Sequence, residues 1–219
     1  MKRTLKNKEY AVKTKQEKAR NDIAYIKRIL EDSEKVFVEN GVKNIMWGTL
    51  VAIGQLITYI LVRKENSGIM ADSMPAVIAV WVVTLAVLWL IIIILFRRQF
   101  NTMHVKSFAG RIFASIWIAM GIGSAICIFV ILSTNVINPY LIDPIVSLFI
   151  GAAYFSTSVI LSGRWMKLLA LGWWGGSIPM FLYPSENCFL IFSTMIVLFA
   201  IVPGIGFYIR HKSAETRLS

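Results

Sequence analysis

The chain has 219 residues, of which 57% are hydrophobic and 16% charged, against about 45–50% and about 25% in soluble domains; an ordinary water-soluble globule is excluded. The net charge of +11 does not mark direct nucleic-acid binding, because the basic residues sit at the edges of apolar runs, as in membrane proteins, and not on a polar folded surface. The two cysteines, Cys127 and Cys188, lie in apolar runs without metal-ligand spacing and read as small buried hydrophobes.

Residues 1–20 carry eight basic and two acidic side chains. So few apolar residues cannot support packing, and the segment reads as a mobile basic tail and positive-inside determinant. The first 40 residues hold no apolar signal-peptide core, so the first span is expected to direct insertion. Residues 21–41, NDIAYIKRILEDSEKVFVENG, have the pattern of one amphipathic cytoplasmic helix. Asn21 or Asp22 can cap its start, and Asn40-Gly41 can stop it. At 100° per residue, Ile23, Tyr25, Ile26, Ile29, Leu30, Val36 and Phe37 share one face. The opposite face sets Lys27, Arg28 and Lys35 against Glu31, Asp32, Glu34 and Glu39. Helices that lie on lipid carry Lys/Arg-rich polar faces, so this charge balance argues against a membrane-surface role. The apolar face, centred on Ile23, Ile26, Ile29, Leu30 and Phe37, then faces the protein's own body, a cytoplasmic partner, or a second copy in a homo-oligomer. The pattern does not separate these.

Residues 42–210 read as a transmembrane domain, because a helix needs about 20 predominantly apolar residues to cross the hydrocarbon. Six spans are expected, at about 44–62, 74–96, 112–133, 144–161, 168–183 and 188–209. The fifth, LLALGWWGGSIPMFLY, is short and glycine-rich, a composition that also suits a re-entrant segment. Orientation follows from Lys and Arg in the connecting segments. With the N-terminus cytoplasmic, 21 of the 23 basic residues fall on the cytoplasmic side, including those of the tail at 211–219. The exceptions, Arg63 and Lys64, can snorkel from a span end. A re-entrant fifth segment would put the basic C-terminal tail outside, which favours a full crossing. The expected fold class is therefore an all-α polytopic membrane helix bundle in the lipid bilayer of the inner (cytoplasmic) membrane. Six transmembrane helices follow one amphipathic cytoplasmic helix, and both termini are cytoplasmic.

Intramembrane chemistry would place ionisable or nucleophilic groups in mid-span. Lys, Arg, Asp, Glu and His instead fall at span ends or in loops. Gln55 is the one amide near the middle of a span and is expected to form an interhelical hydrogen bond. Asp143, before Pro144, reads as a cap ahead of a first-turn proline. No HExxH, GxSxG or P-loop motif occurs. The expectation is a non-enzymatic protein with no catalytic residue, metal ligand or cofactor. The second half is richer in glycine and proline. Gly172, Gly176, Pro179, Pro203, Gly204 and Gly206 suit either close helix packing or a cavity between interrupted helices. The absence of an accompanying polar cluster favours packing.

The order of these features resembles a group of uncharacterised bacterial inner-membrane proteins. A charged amphipathic helix ends at Asn40-Gly41 and leads into Trp47-Gly48-Thr49-Leu50-Val51. Then come Trp117-Ile118-Ala119-Met120-Gly121-Ile122, Pro144 with Gly151, Ser162-Gly163, Gly172-Trp173-Trp174 and Ile201-Val202-Pro203-Gly204. The resemblance covers roughly residues 22–210 and implies six spans in a bacterial cytoplasmic membrane. It establishes no activity, so no functional residue is carried over. Two functional expectations remain. The leading one is a regulatory, sensory or assembly component that docks a partner through its N-terminal helix. The other is a channel, carrier or transport subunit for a small solute, built on the Gly/Pro-rich second half.

Overall fold

In lipid, every backbone polar group must be satisfied within the protein, so an apolar run of spanning length folds as a helix. A computed structural model describes residues 20, 45–100, 108–134, 137–160, 164–206 and 209. The expected amphipathic helix over 21–41 lies outside them, as do 1–19 and 210–219. Of the described residues 91% are helical and none is in a strand. The elements are α1 (Ile45–Asn66), α2 (Met74–Phe100), α3 (Phe108–Thr134), a 3-10 turn (Pro139–Leu141), α4 (Ile142–Ile160), α5 (Arg164–Leu182) and α6 (Asn187–Ile196). A π-helical turn over Val197–Ile201 continues α6 toward Gly206.

Five helical stretches are long and apolar enough to cross a membrane: Ile45–Asn66, Met74–Ile91, Arg111–Thr134, Pro139–Val159 and Asn187–Gly206. The described residues thus form an all-helical fold with the makeup of a membrane protein. α5 is continuous over 19 residues, which at 1.5 Å per residue is about 28 Å, close to the hydrocarbon thickness. Arg164 and Lys167 in its first turn, and glycine and serine in its body, keep it less apolar than the other five. α1 continues past Val62 through Arg63, Lys64 and Glu65. Its polar end is anchored where Asn66 Nδ2 donates to Glu186 Oε2 at 3.3 Å, just before α6. Gly68, with φ +71°, supplies the left-handed residue that turns the chain toward α2.

The bundle has a dense part and a peripheral part. Of the five spanning-length stretches, that of α4 is the most buried and those of α2 and α3 the least. The core belongs to α1, α4, α5 and α6: Val51 and Ala52 form one buried cluster with Ile150, Tyr154, Ala170, Trp173, Met180, Phe192 and Ile196. Along α5 the buried residues are Met166, Ala170, Trp173, Ser177 and Met180, stepping by four and three as one helical face requires. α2 rests on α1 through Thr84, whose Oγ1 would lie 3.4 Å from a Cβ at Gly54. The outward faces of α2 and α3, including Val82, Val83, Trp89, Ile118, Ile126 and Phe129, are exposed. That suits helices bordered by hydrocarbon.

The π turn has a local cause. Pro203 lacks an N–H, and its ring would press on the carbonyl of Phe199 in a regular α-helix. Widening the preceding turn relieves the contact, and the Val202 N–H bonds to the Val197 carbonyl five residues back.

Candidate functional site

Two kinds of position join the helices of the bundle: the glycines of the second half and the buried polar groups between helices. At the glycines, aromatic and thioether side chains take up the room that the absent Cβ leaves. A Cβ at Gly151 would come within 2.4 Å of Trp174 Nε1, one at Gly172 within 2.6 Å of the Phe199 ring, and one at Gly176 within 2.3 Å of Met195 Sδ. Small residues let helices approach closely, and here the approach is complete. The Trp174 indole crosses Gly151 and donates to the Leu148 carbonyl at 3.2 Å. Trp173 is wholly buried and meets Phe192 and Phe199 at ring-centroid distances of 5.6 and 6.2 Å.

The pairings of Gly172 with Phe199 and of Gly176 with Met195 also fix the antiparallel register of α5 and α6. Pro179 lies between Gly176, which meets Met195, and Met180, whose carbonyl faces Cys188, so its level on α6 falls between Cys188 and Met195. Pro203 lies eight or more residues beyond that level, about 12 Å or more at 1.5 Å per residue. The two prolines therefore do not face each other across a shared break, as interrupted-helix cavities would have them. Pro179 is exposed, Pro203 is half-buried and Gly204 is buried. A Cβ at Gly206 would meet nothing within 4 Å. Ile23, Ile26, Ile29, Leu30 and Phe37 lie outside the described residues.

Gln55 does bond across helices, as its place in α1 suggests, and its partner is the carboxyl of Asp143 on α4. Gln55 Nε2 donates to Asp143 Oδ1 at 2.8 Å, and both side chains are buried, each 3% exposed. The reading of Asp143 as a cap at a span end is corrected. The capping is done upstream by Asn138, whose Oδ1 accepts the Tyr140 N–H at 3.0 Å and whose carbonyl accepts the Leu141 N–H at 3.0 Å. The Ile142 N–H bonds to the Pro139 carbonyl, and Pro144 has no N–H. The backbone donors of this first turn are thus committed or missing, and the carboxyl turns inward to α1.

Around the pair, several buried polar atoms have no hydrogen-bond partner among the described residues. They include Gln55 Oε1, Asp143 Oδ2 and Ser147 Oγ. Asp143, Ser147 and Gly151 step by four along α4, so they share a face. On α6, Cys188 is buried within electrostatic reach of Asp143, and its Sγ–H points at the Met180 carbonyl at 3.7 Å. One turn below Gln55, the Ala52 carbonyl accepts from Ser193 Oγ at 3.1 Å, a second polar tie between α1 and the core. Ser158 and Ser177 instead bond within their own helices, to the Phe155 and Trp174 carbonyls. No cluster of three or more His, Cys, Asp or Glu occurs among the described residues.

Comparisons with protein-family models, with curated proteins and with solved structures find no match.

Proposed function

We propose that the protein is a non-enzymatic, six-span component of a bacterial cytoplasmic membrane, of the regulatory, sensory or assembly kind. It docks a protein partner through the amphipathic segment 21–41. The observation that supports this reading over transport is the filled second half. Trp174, Phe199 and Met195 occupy the hollows at Gly151, Gly172 and Gly176, and the two prolines stand at different levels. Such a bundle is a solid scaffold, suited to holding an adjacent helix in a fixed place. The segment's terminal Gly41 is four residues from Ile45, the first described residue of α1, and α1 is tied into the core at Ala52 and Gln55. A docking helix so close to an anchored span can pass a positional change into the bundle. Its balanced polar face supports a protein surface over anionic lipid, and the 21 basic residues outside the two outer exceptions support cytoplasmic termini.

The test is a pull-down from solubilised native membranes with the full chain and with an Ile26→Glu, Leu30→Glu variant. The parent should retain a defined protein or a second tagged copy, and the variant should lose it while inserting normally. Equal recovery from both would reject docking through this face.

One observation favours the transport reading: a carboxyl buried among spans is typical of ion-coupled sites, and Asp143 is such a carboxyl. Uptake of protons or sodium by proteoliposomes containing the parent, and its loss in Asp143→Asn, would support that reading.

A further inference from the structure

A buried carboxylate is costly unless several donors or a cation satisfy it. Among the described residues Asp143 has one side-chain donor, Gln55 Nε2 on its Oδ1. The helix N-terminus that could have supplied more is closed by Asn138 and by the prolines on either side. What remains on the two groups is one oxygen each, Asp143 Oδ2 and Gln55 Oε1, both buried and both without a partner. Both are acceptors when the acid is ionised, so each leaves the other unsatisfied. A single proton removes the conflict, because a carboxylic acid and a primary amide are complementary. The amide N–H donates to one carboxyl oxygen, and the acid O–H donates to the amide oxygen.

We propose that Gln55 and Asp143 form a proton-binding site between α1 and α4. Asp143 carries the proton on Oδ2 and donates it to Gln55 Oε1, so that two parallel hydrogen bonds fasten α1 to α4. Loss of the proton leaves a carboxylate facing the amide oxygen. One bond is broken, a charge is uncovered in the bundle, and the α1–α4 contact loosens. The site goes beyond the docking reading and holds whether or not residues 21–41 bind a partner.

Among the described residues, the titratable groups on the elements around Asp143 pair no cation with it. α6 presents the Cys188 thiol. The preceding turn carries Tyr140, whose ring packs on Phe189. On α1, Tyr59, Arg63, Lys64 and Glu65 lie beyond Gln55 toward the helix end, where Arg63 donates to the Tyr59 hydroxyl and stands over its ring. Glu65 accepts from Ser73, and Glu186 accepts from Asn66. On α5 the basic residues Arg164 and Lys167 occupy the first turn, at the end of the helix away from Met180. On α3, Arg111 is exposed near one end and Cys127 is half-buried. On α4 itself, Tyr154 lies three turns further along and packs on Trp117.

The test uses the full-length protein in lipid. Infrared spectra at neutral pH should show a protonated-carboxyl C=O band that Asp143→Asn removes and that alkaline buffer abolishes in the parent. Asparagine mimics the protonated acid: its Nδ2–H can reach Gln55 Oε1 while its Oδ1 still accepts from Nε2. Asp143→Asn should therefore melt at the parent's temperature at neutral pH and should not share the parent's alkaline loss. Asp143→Ala, which strands Gln55, should melt lower at both pH values. A parent spectrum without that band, or Asp143→Asn as damaging as Asp143→Ala, would overturn the proposal. So would a carboxylate band combined with stabilisation by sodium, which would make the pair a cation site.

Discussion

Replacing Gly151 by alanine adds one methyl group at the tightest aromatic crossing of the bundle. The new Cβ would lie 2.4 Å from Trp174 Nε1 and 2.5 Å from Cδ1, where carbon contacts need about 3.5 Å or more. The indole must therefore withdraw by about 1 Å. It is rigid, it donates to the Leu148 carbonyl at 3.2 Å, and it packs on Phe155 at 5.6 Å, so withdrawal sacrifices that hydrogen bond. Overpacking costs about 1–3 kcal/mol and the bond contributes about 0.5–1.5 kcal/mol. Alanine's better helix propensity returns about 0.5–1 kcal/mol. The net expectation is a destabilisation of roughly 0.5–4 kcal/mol, or roughly 1–16 °C in melting temperature for a chain of this size. Gly121 is the matched control: it lies within α3, and a Cβ there meets nothing within 4 Å, so Gly121→Ala should be neutral or slightly stabilising. Thermal melting of purified protein by tryptophan fluorescence reads both. An unchanged melting temperature in Gly151→Ala, or an equal loss in both variants, would refute the claim that the helices meet through this glycine.

Other substitutions probe the same packing and the layout around it. Gly172→Ala should destabilise more than Gly176→Ala in the same melting assay, because the Phe199 ring cannot fold away and the flexible Met195 side chain can. Ser193→Ala removes the donor to the Ala52 carbonyl and should cost about 0.6–1.7 kcal/mol, the range of interhelical bonds in membranes; chemical denaturation in mixed micelles would measure it. Cys127 and Cys188 are free thiols, and Cys127→Ala, Cys188→Ala should fold and migrate as the parent does on non-reducing gels. Reporter fusions at Ser219 and Asn135 should read cytoplasmic and external respectively; an external Ser219 would break the six-span arrangement.

The helical architecture was legible because apolar runs between charges leave the chain one way to satisfy its backbone in lipid. α5 was the ambiguous element, and its ambiguity persists in composition: Arg164, Lys167 and the glycines dilute the apolar character of a helix 19 residues long. The glycines pointed to close approach without saying whether the gap would be filled. That depended on Trp174, Phe199 and Met195 arriving from other helices, and no local pattern encodes those meetings. The expected hydrogen bond of Gln55 follows from its being an amide among apolar neighbours. Its partner was missed because Asp143-Pro144 also looks like a helix start, and Asn138, five residues earlier, had already taken the capping role. A usable signal was present in the four-residue spacing of Asp143, Ser147 and Gly151, a stripe of polar and small residues on a helix otherwise rich in large apolar ones. Such a stripe faces protein and not lipid.

The docking of residues 21–41 on protein is tested most directly by photocrosslinking in intact membranes. A photoreactive amino acid placed at Ile26 or at Leu30 in the full chain reports what covers the apolar face. The account predicts discrete protein adducts from both positions and few from Lys27 or Glu34 on the polar face. Lipid adducts from Ile26 and Leu30, with no protein adduct above that from the polar face, would contradict it.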